Sequence, residues 1–542
     1  MAYFSLFYEN LEQEAEAKKQ AQNQIYYRGE QKTEKKTYFV GARMVVEETA
    51  VDAANELPCF FRDLNLDAVL LSRYEGTLPE GIKELLFSFP KDIHTITYRQ
   101  EIYKELDNPV IFQGMENFRN DFSQVLRLLT YSTQSDTPLQ QSKYYLDAAV
   151  LYYHCINGLY NTLKEQARSA ALNSLLSLLK AQLDREGYYD FFLQAGRLNE
   201  QLENIHSTLT MAENAVRVSF AKDPEDFGRA VQKVFRLEDS PNNSIRLFNQ
   251  PGLNPFESKL ISLVEKEYPK LCRECLEFTA ERQPLANETL VKLYRESEFY
   301  LSGHLLAAGL REKGFPLTYP VLKEQSSFYL QGICDINLAL SAGSVKEVTL
   351  NDLLLQEGEG GAFVTGVNQG GKTTYARSIG QTAFLAVLGM PVIAKKALLP
   401  HLNGIYTHFT TEENCQVNNG KLLEELHHLK EVLEKAPANC LYILNEMFSS
   451  TTAADACDLT KLLLPQLFEK SGTVICVTHV PELASQREGM ISLVAAVKEE
   501  DGYQRTYRIC NGEAALSARA IDIALKYHLS GNQIKERIAN GN

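Results

Sequence analysis

The segment GVNQGGKT, Gly366 to Thr373, constrains this chain more than any other feature. It fits G-x-x-x-x-G-K-[ST], a glycine-rich loop that works only when an apolar strand precedes it and a helix follows. Both flanks are present: GAFVT over 361–365, and TYARSIGQTAFLAVLG from Thr374 onward. In such a loop the backbone N–H groups face phosphate oxygens, and the N-terminus of the following helix adds a favourable dipole. Gly366, Asn368, Gly370, Gly371, Lys372, Thr373 and Thr374 are therefore the predicted nucleotide-binding residues. Lys372 would reach the β- and γ-phosphates, and the Thr373 hydroxyl would hold Mg²⁺.

The flanking text builds a sheet around that loop. A strand at Cys440 to Leu444 leads into a helix through Leu467, and another strand runs from Thr473 to Thr478. Strands alternating with helices predict a doubly wound, mostly parallel sheet. Two further strands, Ile491 to Lys498 and Tyr503 to Cys510, and two short C-terminal helices complete this part. Asn445 and Glu446 end the Cys440 strand, 73 residues after Lys372 in the case of Asn445. P-loop ATPases place there the acidic pair that handles Mg²⁺ and the attacking water. Glu446 is the predicted general base. Thr373, Asn445 and Glu446 are the predicted metal set. Asn445 offers a neutral carbonyl where Asp is expected, which weakens the pull on Mg²⁺. His479 follows the Thr473 strand and is predicted to sense the γ-phosphate. His427 and His428 sit on a charged helix and read as solvated.

Upstream, the text is helical. No proline falls between Pro138 and Pro224, and Leu146, Val150, Tyr153, Ile156, Leu159 and Leu163 recur at helical spacing. A helix of forty-odd residues would span roughly 60 Å, too long for a compact domain, and reads as a lever; a bundle of ordinary helices is the alternative. VRVSF and SIRLF, between turn clusters within 205–255, read as short strands of a small tip. Helices follow over Phe256 to Arg282, kinked or broken at Pro269, and over Leu285 to Lys313. Cys272 and Cys275 form a lone CxxC on a helix and read as packing. Met1 to Lys36 is polar and reads as a poorly ordered or edge segment. The predicted organisation is an N-terminal segment 1–90, a helical lever 91–325 and an α/β P-loop domain 326–542.

These residues together resemble the MutS family of DNA mismatch-repair ATPases. The resemblance covers roughly 326–542. GVNQGGKTTYARSIGQTAFLAVLGMPVIA is similar to the family's GPNMGGKST segment with its helix and following strand, and Asn368 matches the Asn of that loop. LNEMFSSTTAADA is similar to D-E-x-x-x-G-T-S, VTHVPEL to T-H-Y-x-E-L, and NGEAALSARAIDIAL to G-A-A-x-S-x-G-L-x-V-A. Tyr406 to Leu426 resembles the stretch from T-R-I-G to S-T-F-x-x-E-M. The resemblance implies ATP and Mg²⁺ as cofactors and a homodimer formed through the ATPase domains and their C-terminal helices. It also implies helical arms that close on duplex DNA, mismatched or branched.

There are departures. Gly420 and Lys421 stand where the family has Ser-Thr, Asn445 replaces Asp, and Val348 falls where an aromatic stacks on adenine. The clamp signatures are not readable in 205–255, and no nuclease tail follows Asn542. The front is too short for full recognition and connector domains, so the Phe7-Tyr8-Glu9 triplet reads as surface or edge rather than as a mismatch wedge.

Charge limits the DNA reading. Lys and Arg number 55 against 69 Asp and Glu, and the imbalance holds on both sides of residue 340: 37 against 47 before it, 18 against 22 after. Strong, indiscriminate nucleic-acid binding through bulk charge is not expected, and a local basic groove stays open. A mismatch-independent clamp and a P-loop scaffold without DNA binding are the rival readings. The longest apolar stretch near the loop, Ala383 to Ala394, is about a dozen residues where a membrane span needs roughly 20, so no membrane partner is expected. Ten scattered cysteines and an N-terminus without a basic n-region point to a cytoplasmic protein.

Overall fold

The computed structural model describes residues 3–25, 33–40, 43–50, 57–71, 81–212, 215–220, 252, 254–280, 285–324, 327–367, 369–409, 418–485, 489–497, 505–513, 531 and 535. The chain divides into two compact units, each built from two stretches of sequence. One holds Met1–Leu6 and Glu105–Leu301, the other Phe7–Lys104 and Ser302–Asn542.

The first unit is helical. Helices span Pro109–Gln134, Pro138–Gln166, Ala170–Leu183 and Tyr188–Glu203, followed by Pro255–Glu267, Pro269–Ala280 and the part of Glu288–Glu312 up to Leu301. Among the described residues the expected forty-residue helix is not present; the longest there has 29 residues, about 43 Å. Local chemistry sets each break. Asn108 and Thr137 cap helices whose first residue is proline, Ser169 caps the third through the Leu172 N–H, and Gly187 opens the fourth in the left-handed region. Phe118 and Phe122 of the first helix stack on each other, and Phe122 meets Tyr294 of the last at 5.9 Å between ring centroids. Cys272 and Cys275 are buried on one helix, as packing residues should be. Pro269 starts a new helix rather than kinking one. A hairpin pairs Ser207–Ala212 with Ala215–Phe220 and includes the VRVSF strand. SIRLF lies outside the described residues.

The second unit carries a six-stranded sheet. Its strands are β1 (Gly361–Gly366), β2 (Gly404–Phe409), β3 (Cys440–Asn445), β4 (Thr473–Val477), β5 (Met490–Val497) and β6 (Arg505–Asn511). The order is β2-β3-β4-β1-β5-β6, parallel except for the antiparallel return of β6 on β5. β1, β3 and β4 are nearly continuous apolar runs, as strands covered on both faces require. Three helices accompany them: α1 (Lys372–Val387), α2 (Asn418–Lys435) and α3 (Ala453–Glu469). A separate four-stranded sheet joins Val321–Lys323, Lys396–Pro400, Tyr329–Ile333 and Asn351–Leu354. The expected C-terminal helices fall outside the described residues, apart from two isolated positions.

The N-terminal stretch of this unit departs from expectation. Leu11–Gln22 is a helix capped by Asn10, with Ala17 and Ala21 buried. Gln20 and Gln24 tie it to the backbone of Phe89 and Phe87. Phe7 and Tyr8 are core residues, 0% and 3% exposed, not surface or edge ones. The Arg99 guanidinium fixes them: its Nε donates to the Phe7 carbonyl at 3.0 Å, its Nη1 to the Val387 carbonyl at 3.3 Å, and it lies over the Tyr8 ring. Their burial is invisible in sequence because the polar run after Glu9 hides a short apolar anchor that docks far along the chain. Phe60 and Phe61 pack on Phe384 of α1, and Arg377 and Gln381 of α1 donate to the carbonyls of Asp63 and Leu64. α1 is thus braced by residues more than 300 positions earlier in the chain.

Candidate nucleotide-binding site

The site is assembled at the carboxyl ends of the parallel strands, where open α/β sheets bind ligands. β1 ends in Gly366 at φ +115°, and a Cβ there would lie 2.9 Å from the Ala495 nitrogen of β5. Gly371 opens α1 at φ +90°. Both positions need glycine, the first for close approach and the second for the left-handed turn. Lys372 begins α1, and its ammonium donates to the carbonyls of Gly366 and Val367 at 2.9 and 3.2 Å, folding back over the loop. Burial pushes the Lys372 pKa down, and the Glu446 carboxylate opposes that shift. The Thr373 hydroxyl donates to the Asn445 amide oxygen at 3.1 Å, so the two residues predicted to share a metal already touch.

A cavity of about 570 Å³ lies against this loop. Lys372, Thr373, Thr374, Glu446, Val348 and Tyr507 are among its walls. The residues fit a triphosphate with Mg²⁺. The glycines leave room for phosphate oxygens, a buried ammonium now spends its donors on two carbonyls, and a hydroxyl and an amide oxygen supply the hard oxygen donors Mg²⁺ prefers. A larger cleft of about 1050 Å³ opens at the amino ends of the strands, among Glu357, Glu359, His401 and Gly472. Its walls include glycines but also Glu324, Glu357 and Glu359 and no lysine, a lining that repels phosphate, so volume alone does not make it the nucleotide site.

Not every predicted residue converges. Gly366, Gly370, Gly371, Lys372, Thr373 and Thr374 form the loop, and Asn445 and Glu446 stand beside it. Asn368 lies outside the described residues. His479 sits exposed just beyond β4 and is not among the residues lining the cavity. His427 is exposed, but His428 is not solvated: it is half-buried, and its Nε2 donates to the Thr407 carbonyl of β2 at 3.1 Å. Burial holds its pKa down. The helical charge pattern hid this, because one turn of α2 faces the sheet.

Tyr507 was not legible in the sequence. It stands on β6 at φ +55°, and its side chain comes within 3.5 Å of where a Gly371 Cβ would lie. Asn351 clamps that strand, donating to the Tyr507 carbonyl at 3.0 Å and accepting from the Ile509 N–H at 2.8 Å. Val348 lines the same cavity, so an aromatic face is supplied from β6 although none stands at 348. Only the antiparallel return of β6 brings it there.

Residues 362–534 match the family described as MutS domain V. The DNA mismatch repair protein MutS of Thermotoga neapolitana is 25% identical over 304 residues, covering 55% of this chain and 36% of that protein. Endonuclease MutS2 of Streptococcus equi is 25% identical over 243 residues, 44% of this chain and 30% of that one. The mismatch repair protein MSH3 of Arabidopsis thaliana is 31% identical over 163 residues, 29% and 15% respectively. The chain thus spans about a third or less of the length of these relatives.

Proposed function

This chain belongs to the MutS family through residues 362–534, and from that premise we propose that it is an Mg²⁺-dependent ATPase whose nucleotide state controls binding to DNA. The observation that carries the ATPase reading is the convergence of Lys372, Thr373 and Glu446 on one cavity, with Asn445 bonded to Thr373 beside it. Bound Mg²⁺ would supply charge neutralisation across the β- and γ-phosphates. Lys372 leaves the Gly366 and Val367 carbonyls to meet phosphate oxygens. Thr373 and Asn445 would hold the metal, and Glu446 would take the proton of the attacking water. Asn445 contributes no charge, so turnover is slow. His479 acts as the γ-phosphate sensor if the turn after β4 closes on the nucleotide. Tyr507 offers its ring to the base.

DNA as partner, and a homodimer made through the ATPase domains, follow from what the relatives are named for and from the family resemblance. Repair of mismatches is the leading reading; a clamp on branched DNA is its neighbour. The net charge of −14 favours a third reading, a P-loop ATPase that assembles proteins without DNA. Two measurements test the proposal. Lys372→Ala should abolish ATP binding, while Glu446→Gln should bind ATP and fail to hydrolyse it; hydrolysis at the wild-type rate in Glu446→Gln removes the role given to Glu446. Titration with G·T heteroduplex, branched and plain duplex DNA at one stated salt concentration, with and without ATP, decides the partner. No binding to any of them leaves the scaffold reading.

A further inference from the structure

The turn that carries Glu446 off the end of β3 holds two residues in the left-handed region, Glu446 at φ +53° and Phe448 at φ +56°. Glutamate has no special tolerance for that region, and a bulky aromatic residue enters it only when its surroundings force it. Phe448 is 2% exposed and Met447 8%, and both belong to the core cluster under the sheet with Ala456 and Cys457 of α3 and Val474 and Cys476 of β4. Glu446 itself is half-buried and lines the nucleotide cavity.

The backbone around this turn is pinned at only a few places. The Glu446 N–H donates to the Val477 carbonyl at 2.9 Å, the last rung of the β3–β4 ladder. The Phe448 carbonyl accepts from the Thr451 N–H at 3.1 Å. Between those two bonds the direction of the chain, and hence of the Glu446 side chain, rests on where residues 447 and 448 are anchored. Glycine at 448 would reach φ +56° without strain but would anchor nothing. Phenylalanine reaches it at a cost, and burial of the ring offsets that cost.

We propose that Phe448 is a positioning residue for the reaction: its buried ring locks a left-handed turn that aims the Glu446 carboxylate into the nucleotide cavity. The proposal rests on the ATPase reading given above. A general base contributes only when held within hydrogen-bond reach of its proton, so loosening the turn lowers turnover without changing the phosphate contacts made by Lys372 and Thr373.

The test measures steady-state ATP hydrolysis and ATP·Mg²⁺ binding for wild type, Phe448→Ala and Phe448→Leu, with circular dichroism and thermal melting as the check on folding. In Phe448→Ala, kcat should fall roughly tenfold to a hundredfold while the ATP dissociation constant stays within about twofold. Phe448→Leu refills most of the volume and should lie between the two. A folded Phe448→Ala with wild-type kcat overturns the proposal, and so does a parallel loss of kcat and affinity. If Phe448→Ala does not fold, Phe448→Leu at the wild-type kcat overturns it too, since the ring then serves folding only. Wild-type protein that binds ATP without hydrolysing it instead overturns the hydrolysis reading on which this one rests.

Discussion

The 3.1 Å bond from the Thr373 hydroxyl to Asn445 joins two neutral groups at the place where a divalent cation would sit. Asn445→Asp is nearly isosteric and adds a charge there. The Mg²⁺ concentration for half-maximal ATPase activity should fall in this variant, and an unchanged or higher requirement places Asn445 away from the metal. Tyr507 permits a second prediction. Its exposed ring borders the cavity beside Gly371, and stacking on a base contributes about 1–3 kcal/mol. Tyr507→Ala should weaken binding of ATP by about tenfold, and weaken tripolyphosphate, which has no base, much less. Equal loss for both ligands removes the base-stacking role. At this scale the sequence showed the loop and the Asn-Glu pair, because both are short local patterns with fixed chemistry. Tyr507 carried no such pattern, and its place depends on β6 folding back antiparallel on β5.

Elements show where periodicity misleads. The helical run after Pro138 reads as one long rod because no proline interrupts it before Pro224. The breaks are set by single residues: Thr137 before Pro138, Ser169 and Gly187 each supply a cap or a left-handed start. These signals were present in the sequence, but a capping serine differs from an ordinary surface serine only once the chain around it turns. The Phe7-Tyr8 segment makes the converse point. Its ring and carbonyl are held by Arg99, and the Phe7 side chain is fully buried. Phe7→Ala should destabilise the protein by about 3–5 kcal/mol, read from the urea midpoint, and leave the ratio of affinities for G·T and matched duplex unchanged. A tenfold mismatch preference in wild type that vanishes in Phe7→Ala would give this residue a role at DNA that its burial denies.

On the scale of the whole molecule, each unit is discontinuous in sequence, and the second gathers residues 7–104 with those beyond 302. Among the described residues no helix is long and apolar enough to cross a membrane. Nucleotide binding should stabilise the unit that holds the loop. Cys476 reports on it: the residue is 1% exposed on β4, and burial pushes its thiol up to about 12, so labelling requires unfolding. ATP·Mg²⁺ at about a hundred times its dissociation constant adds ~2.7 kcal/mol to the folded state, which should slow labelling of Cys476 about a hundredfold. Labelling at the same rate with and without nucleotide would mean that the site does not bind it.

Short-range chemistry could be read from the residues alone: a glycine-rich loop between strand and helix, an Asn-Glu pair at a strand end, alternating strands and helices, a mostly parallel sheet. Each follows from bonds and spacings within a few residues, so it can be read without knowing the rest. The tertiary structure alone decided which distant pieces complete the site and its supports. β1 lies between β4 and β5, so Ala495 closes on Gly366. Tyr507 reaches the cavity, His428 turns to the sheet, and Phe7 and Phe61 enter the core. The physical reason is that burial and approach depend on neighbours brought together by folding, and a residue's own sequence context does not encode which surface will cover it.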